Sequence, residues 1–205
     1  MSRFLDLVAP LGIGIFVILY ISAANLYPGG SVVDPNTEGY DWFHNYWCDL
    51  MYKNSLNGES NLARPTAISG WGILCISILY ILVQMIRRLY DSGSLKKLLL
   101  VFSVLAMTFG LLAATDNHDL FVLLSFPFGA VTVLALAIKA QQMNSIFIKV
   151  VAWLVVLSLT ASFIMYFTSI GLYWIGFIQK IALGLSFIWI VKFYYHTIKY
   201  SKLTV

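Results

Sequence analysis

The sequence predicts an all-α, polytopic membrane protein: a single membrane domain over residues 1–205, built as a six-transmembrane-helix bundle with both termini cytoplasmic. Three observations predict it. Apolar residues make up 60% of the chain and charged residues 11%, whereas a soluble domain carries about a quarter charged residues to cover itself. Six apolar segments reach the length of about 20 residues that a helix needs to cross roughly 30 Å of hydrocarbon. Basic residues gather at one set of segment ends, as they do on the cytoplasmic side of membrane proteins. A mean hydropathy of +0.84 also excludes a disordered chain.

The first expected span is 8–27, with Pro10 in the first turn, where a missing N–H costs little. A cleaved leader is the competing reading, with Ala23-Ala24 as small residues near its end, but the apolar core exceeds that of a usual signal peptide. The second span is 66–86, opened by Arg64-Pro65 and closed by Arg87-Arg88. The third and fourth, 98–115 and 120–140, are separated only by Asp116-Asn117-His118-Asp119, and Pro127 is expected to bend the fourth. The fifth and sixth are 146–169 and 173–196. The links after Arg88 are short, so consecutive helices pack antiparallel.

With the N-terminus inside, the cytoplasmic ends hold Arg3, Arg87, Arg88, Lys96, Lys97, Lys139, Lys149, Lys192, Lys199 and Lys202, and the outer loops hold only Lys53 and Arg64. Most acids fall outside: Asp34, Glu38, Asp41, Asp49, Glu59, Asp116 and Asp119, against Asp6 and Asp91 inside. The net charge of +4 is thus a basic inner rim and not a nucleic-acid surface. The expected location is the inner (cytoplasmic) membrane, with the lipid bilayer as partner. Cys48 and Cys75 stand on opposite sides of an apolar boundary, which argues against a disulfide.

The long outer loop, 28–63, is the expected seat of function. Pro28-Gly29-Gly30, Asp34-Pro35-Asn36 and Asn57-Gly58 read as turns. Between them, residues 40–51 read as a short interfacial helix with Asp41, His44, Asn45, Cys48 and Asp49 along one side. If that stripe faces the Asp116–Asp119 link, then Asp41, His44, Asn45, Cys48, Asp49, Asp116, Asn117, His118 and Asp119 surround an outward-facing polar pocket. These are types that ligate cations or move protons. Capping of helix ends and a solvated hairpin with Asn117 left-handed is the plainer reading. His44, His118, Asp116 and Asp119 are the weak metal candidates. There is no HExxH, paired CxxC, GxSxG or phosphate-binding glycine loop, so no cofactor is assigned.

Lys180 lies about 10 Å into the sixth span, where an ammonium is expensive. Gly176, Lys180 and Gly184 form a row of small residues that suits helix contact, which turns the lysine inward toward an acid among Asp49, Asp116 and Asp119. Snorkelling to the interface is the alternative. Arg64 is expected to orient the loop through Asp49 or Glu59. Ser69, Gly70 and Gly72 suggest a close helix contact at the start of the second span.

The words Tyr27-Pro28-Gly29-Gly30, Asn45-Tyr46-Trp47-Cys48-Asp49-Leu50-Met51, Asn57-Gly58 and Ala63-Arg64-Pro65 resemble an uncharacterised bacterial family of small six-span membrane proteins. The aspartate element ahead of the second-span proline is also similar to the DRAM/Sfk membrane family, with Cys48 standing where that family has serine. The resemblance implies an integral membrane protein without an assigned reaction. Three functions follow as expectations: binding of a lipid, small molecule or partner at the outward-facing pocket; metal-dependent hydrolysis of a lipid; and, third, a small carrier working through Lys180.

Overall fold

In the computed structural model, which describes residues 2–201, the chain forms six long helices: α1 (Ser2–Asn25), α2 (Arg64–Leu89), α3 (Ser94–Leu112), α4 (His118–Ala140), α5 (Ile146–Thr168) and α6 (Leu172–Ser201). All six are long and apolar enough to cross a membrane. The protein is therefore a multi-pass membrane protein. Lys202 lies outside the described residues, as do the side chains of Arg3 and Asp6. No strand occurs among the described residues.

Helix ends follow local chemistry. Pro65 occupies the first turn of α2, where its fixed φ suits the helix and its missing N–H is no loss. The Ser145 hydroxyl accepts the Ile148 N–H at the start of α5, and Ser169 ends α5 in the left-handed conformation, φ 57°. α4 is continuous through Pro127. Asn117 precedes α4 at φ −95° and is not left-handed as expected, and its side chain makes no capping bond.

Sequential neighbours pack pairwise from α1 to α6, and α6 returns to α2, closing the bundle. Gly70 permits the approach of α1, since a Cβ there would stand 3.2 Å from both Leu19 and Tyr20. The core holds Phe16, Tyr20, Ile81, Met85, Leu99, Leu136, Ile148, Trp189 and Phe193, all fully buried. Where aromatic N–H groups enter this core they find carbonyls: Trp71 Nε1 donates to Gly110 O (2.7 Å) and Trp189 Nε1 to Ile148 O (3.2 Å). Leu11, Ile18, Ile76, Leu157 and Ile188 remain exposed around the circumference. A soluble monomer does not expose such a belt, and here it is the face that lipid covers.

The 26–63 segment forms a cap over one end of the bundle. The helix expected over 40–51 is instead a run of turns that ends in a 3-10 helix, Cys48–Met51, whose four residues are all buried. The reason lies in the backbone donors. Asp41 Oδ1 accepts the Phe43 and His44 N–H groups as a cap would, but Asp49 Oδ2 accepts the Tyr46 N–H and Gln179 Oε1 that of Trp47, so side chains take the donors that a continuing helix would use. The predicted turns are present: Gly30 sits at φ 84°, Gly58 at φ 88°, and Asp34 Oδ1 accepts the Asn36 N–H.

The small-residue row on α6 splits in two. A Cβ on Gly176 would stand 2.7–2.8 Å from the carbonyl oxygens of Phe43, His44 and Asn45, whereas one on Gly184 would meet nothing within 4 Å. The glycine at 176 thus seats the cap rather than a neighbouring helix. Gly176→Ala should lower stability by about 1–3 kcal/mol and open the cap to protease, while Gly184→Ala should leave both unchanged. Thermal unfolding in detergent with limited proteolysis checks this, and equal effects of the two variants would contradict it.

Candidate functional site

Two layers meet at the capped end of the bundle: a buried polar network inside the cap and an apolar cavity beneath it. The network is centred on Asn45 (0% exposed). Its Nδ2 donates to Gly30 O and to Asp49 Oδ2, both at 2.9 Å, and its Oδ1 accepts the Asp41 N–H at 2.8 Å. Asp49, also buried, accepts the Tyr46 N–H at 2.7 Å through the same Oδ2. Asn61 closes the far side, donating to Asp49 O and Tyr52 O at 3.0 Å while accepting the Ala63 N–H. These bonds hold an irregular backbone that could not be buried unpaired.

Lys180 points inward, into this network. Its Nζ donates to Asn45 O (2.6 Å) and Gly176 O (3.0 Å) and lies 5.3 Å from the centre of the Tyr40 ring. Its hydrogen-bond partners are carbonyls, not the carboxylate expected from sequence, because the cap brings backbone within reach before any acid. The preceding residue continues the clasp: Gln179 Oε1 accepts the Trp47 N–H at 3.0 Å.

The remaining candidates are dispersed. His44 Nδ1 lies 2.6 Å from Asp41 Oδ2 in a half-buried pair. Arg64 Nε donates to Met51 O (3.1 Å), and its guanidinium lies 3.9 Å from Asp116, so it orients the cap through a carbonyl rather than through Asp49 or Glu59. Lys53 Nζ holds Asp116 at 2.7 Å on the surface. Asn117 is exposed, and Asp119 accepts the Tyr166 hydroxyl. His118 is buried with Nδ1 2.6 Å from Ala113 O; a carbonyl only accepts, so Nδ1 carries the proton. His44, His118, Asp116 and Asp119 therefore do not converge, and among the described residues no three His, Cys, Asp or Glu side chains are grouped to hold a metal.

Beneath the cap lies a cavity of about 240 Å³, to which all six helices contribute. Trp47, Cys48 and Met51 come from the cap; Tyr20, Trp71, Phe126, Phe163 and Leu183 are among the helix residues that enclose it. Of the residues singled out from sequence, Cys48 and His118 reach it. Trp47 descends between the helices, its ring 5.5 Å from Phe16 and 4.9 Å from Tyr20, centre to centre. Sequence reasoning passed over Tyr20, Trp47, Asn61, Tyr166 and Gln179. Gln179 was the readable one, a second polar side chain beside Lys180 within one apolar span.

Burial pushes the Asp49 carboxyl from its ordinary value of 3.8 up to about 6, against the opposing pull of the Asn45 amide, the Tyr46 N–H and the Lys180 charge. Burial also holds the Cys48 thiol well above its ordinary value, so the sulfur is a poor nucleophile. At Asp41 partial burial works upward, but the His44 ring and the amides of Phe43 and His44 outweigh it and the carboxyl is lowered. Comparison with known protein families, curated proteins and solved structures finds no match to this chain.

The two carboxylates have opposite linkage. Asp49 binds its proton more tightly in the folded protein, so its contribution is full below pH 4 and is lost as pH rises to about 6. A displacement of that size corresponds to roughly 3 kcal/mol. Asp41 adds stability above its ordinary value that is lost at lower pH. Asp49→Asn should flatten the fall in stability between pH 4 and 6, since an amide oxygen can still accept from Asn45 and Tyr46. Denaturation midpoints measured across that range check the expectation, which a slope like that of the parent protein would refute.

Proposed function

We propose that this protein is a binding protein of the cytoplasmic membrane that holds a small apolar or amphipathic ligand, lipid in origin, in the cavity beneath the cap. The cavity itself carries the reading. A space of about 240 Å³ bounded by aromatic and aliphatic side chains excludes ions and favours hydrocarbon. An engineered apolar cavity of about 150 Å³ takes up benzene, so this one has room for a single ring or a short length of acyl chain. The polar residues of the cap serve the ligand indirectly: they bond to one another and to α6, and so hold Trp47 against the cavity.

The cap faces away from the cytoplasm in this proposal. Its support is the distribution of cations: Arg87, Arg88, Lys96, Lys97, Lys139, Lys149, Lys192 and Lys199 flank the opposite end, whereas the capped end has Lys53, Arg64 and the inward-pointing Lys180.

Two measurements test these statements. Filling the cavity with Val122→Phe should reduce the lipid that co-purifies with the protein severalfold, as read by solvent extraction and mass spectrometry, while the melting temperature stays level or rises. Retention of bound lipid by the variant, or none on the parent protein, would sink the binding reading. For orientation, Cys48 and Cys75 are buried, so a cysteine introduced at Glu59 or Ser92 can be labelled selectively. A membrane-impermeant maleimide should react with Glu59→Cys in intact cells and with Ser92→Cys only after lysis; the reverse pattern would invert the topology.

A further inference from the structure

We propose that the cavity selects a neutral ligand bearing a carbonyl oxygen, an acyl ester or a quinone, which accepts hydrogen bonds from Tyr20 Oη and Trp47 Nε1. This deepens the binding reading and rests on it. Both side chains border the cavity, and their rings pack 4.9 Å apart. Both polar atoms are buried, and neither finds a partner within the protein. Tyr20 is 1% exposed.

Six other polar side chains around the cavity each make a hydrogen bond within the protein. Trp71 Nε1 bonds to Gly110 O, Ser125 Oγ to Ala106 O and Ser162 Oγ to Ser158 O. His118 is held by Ala113 O, Tyr166 by Asp119, and Gln179 by the Trp47 N–H. Tyr20 Oη and Trp47 Nε1 are thus the two buried side-chain atoms of the cavity wall that lack a partner. A buried donor left unpaired costs about 1–3 kcal/mol, so a ligand that supplies the missing acceptor recovers that cost on binding. The chemistry of the pair sets the ligand class. An indole N–H can only donate, and a phenol donates to any oxygen acceptor, so the complementary group is an acceptor. No Lys, Arg, Asp or Glu borders the cavity, and an anionic headgroup would enter it without a counter-charge. A carbonyl is the neutral group that meets both requirements and is carried on apolar molecules of the size the cavity admits.

The test uses the full-length protein, delipidated in detergent, and four probes: methyl octanoate, n-nonane, duroquinone and octanoate. Methyl octanoate or duroquinone should bind roughly fivefold more tightly than n-nonane, the gain of about one neutral hydrogen bond, and which of the two binds better identifies ester or quinone as the source. Octanoate ion should be the weakest. Tyr20→Phe, which removes only the hydroxyl, should erase most of the carbonyl preference, leave n-nonane affinity unchanged, and leave the empty protein as stable as the parent or more so. Trp47→Phe serves as the second variant and should act in the same direction. Equal affinity for ester, quinone and alkane in the parent, or parallel loss of all three in Tyr20→Phe, would overturn the carbonyl assignment while the apolar cavity stands. Failure of every probe to bind the parent would overturn both.

Discussion

An irregular stretch of backbone lowered into the end of a membrane bundle must have its polar groups satisfied by protein, and everything at the capped end of this molecule depends on how α6 does so. Lys180 lies about 12 Å along α6 from Leu172, and the cap reaches down to meet it. Gly176, Gln179 and Lys180 fall at i, i+3 and i+4, on one face of the helix. The glycine admits the carbonyls of residues 43–45, the lysine donates to Asn45 O, and the glutamine accepts from Trp47 N. Unpaired, each of these groups would cost several kcal/mol in hydrocarbon. The same requirement explains why a charged residue is tolerated in an apolar span: Lys180 donates to the cap carbonyl of Asn45 and to Gly176 O of its own helix.

From that clasp the rest follows in sequence. Asn45, fixed at its carbonyl by Lys180, uses its side chain to hold Gly30, Asp41 and Asp49. Asp49 in turn holds the Tyr46 amide, and the next residue, Trp47, is driven down between the helices onto Phe16 and Tyr20. The ring that forms one wall of the cavity is thus positioned by a polar network that does not itself surround the cavity. A loosened cap would move Trp47, and with it the shape of the binding space.

Part of this was readable in advance. The six spans were legible because length and hydropathy are sufficient to define a membrane helix, and the observed ends lie within six residues of the expected ones, the largest offset being at α1, which begins at Ser2 and so holds Pro10 in its interior. The turns at Gly30, Asp34 and Gly58 were legible because glycine and asparagine answer to local backbone geometry. The expected short helix over 40–51 does not form, since a helical period in the residue types says nothing about whether Asp49 and the distant Gln179 will take the Tyr46 and Trp47 donors for themselves. Asn45, Asp49 and Lys180, expected to border an outward-facing pocket, are instead joined through one buried network, with Asn45 bonded to Asp49 and to Lys180, and the half-buried Asp41–His44 pair stands at its edge.

By itself the sequence determined the class of molecule, an all-helical multi-pass membrane protein, because the solvent an element must face is written in its composition. It also marked the loop between the first two helices as the irregular part and Lys180 as its anomalous neighbour. Only the tertiary structure decided what that loop does. Hydrogen-bond partners separated by more than 130 residues, such as Trp47 with Gln179 and Asn45 with Lys180, exist because the bundle closes α6 onto the cap. Tyr20 and Trp47 are ordinary aromatics in one dimension. They become a pair of unsatisfied donors when packing buries them without an acceptor, and no local pattern encodes the absence of a partner.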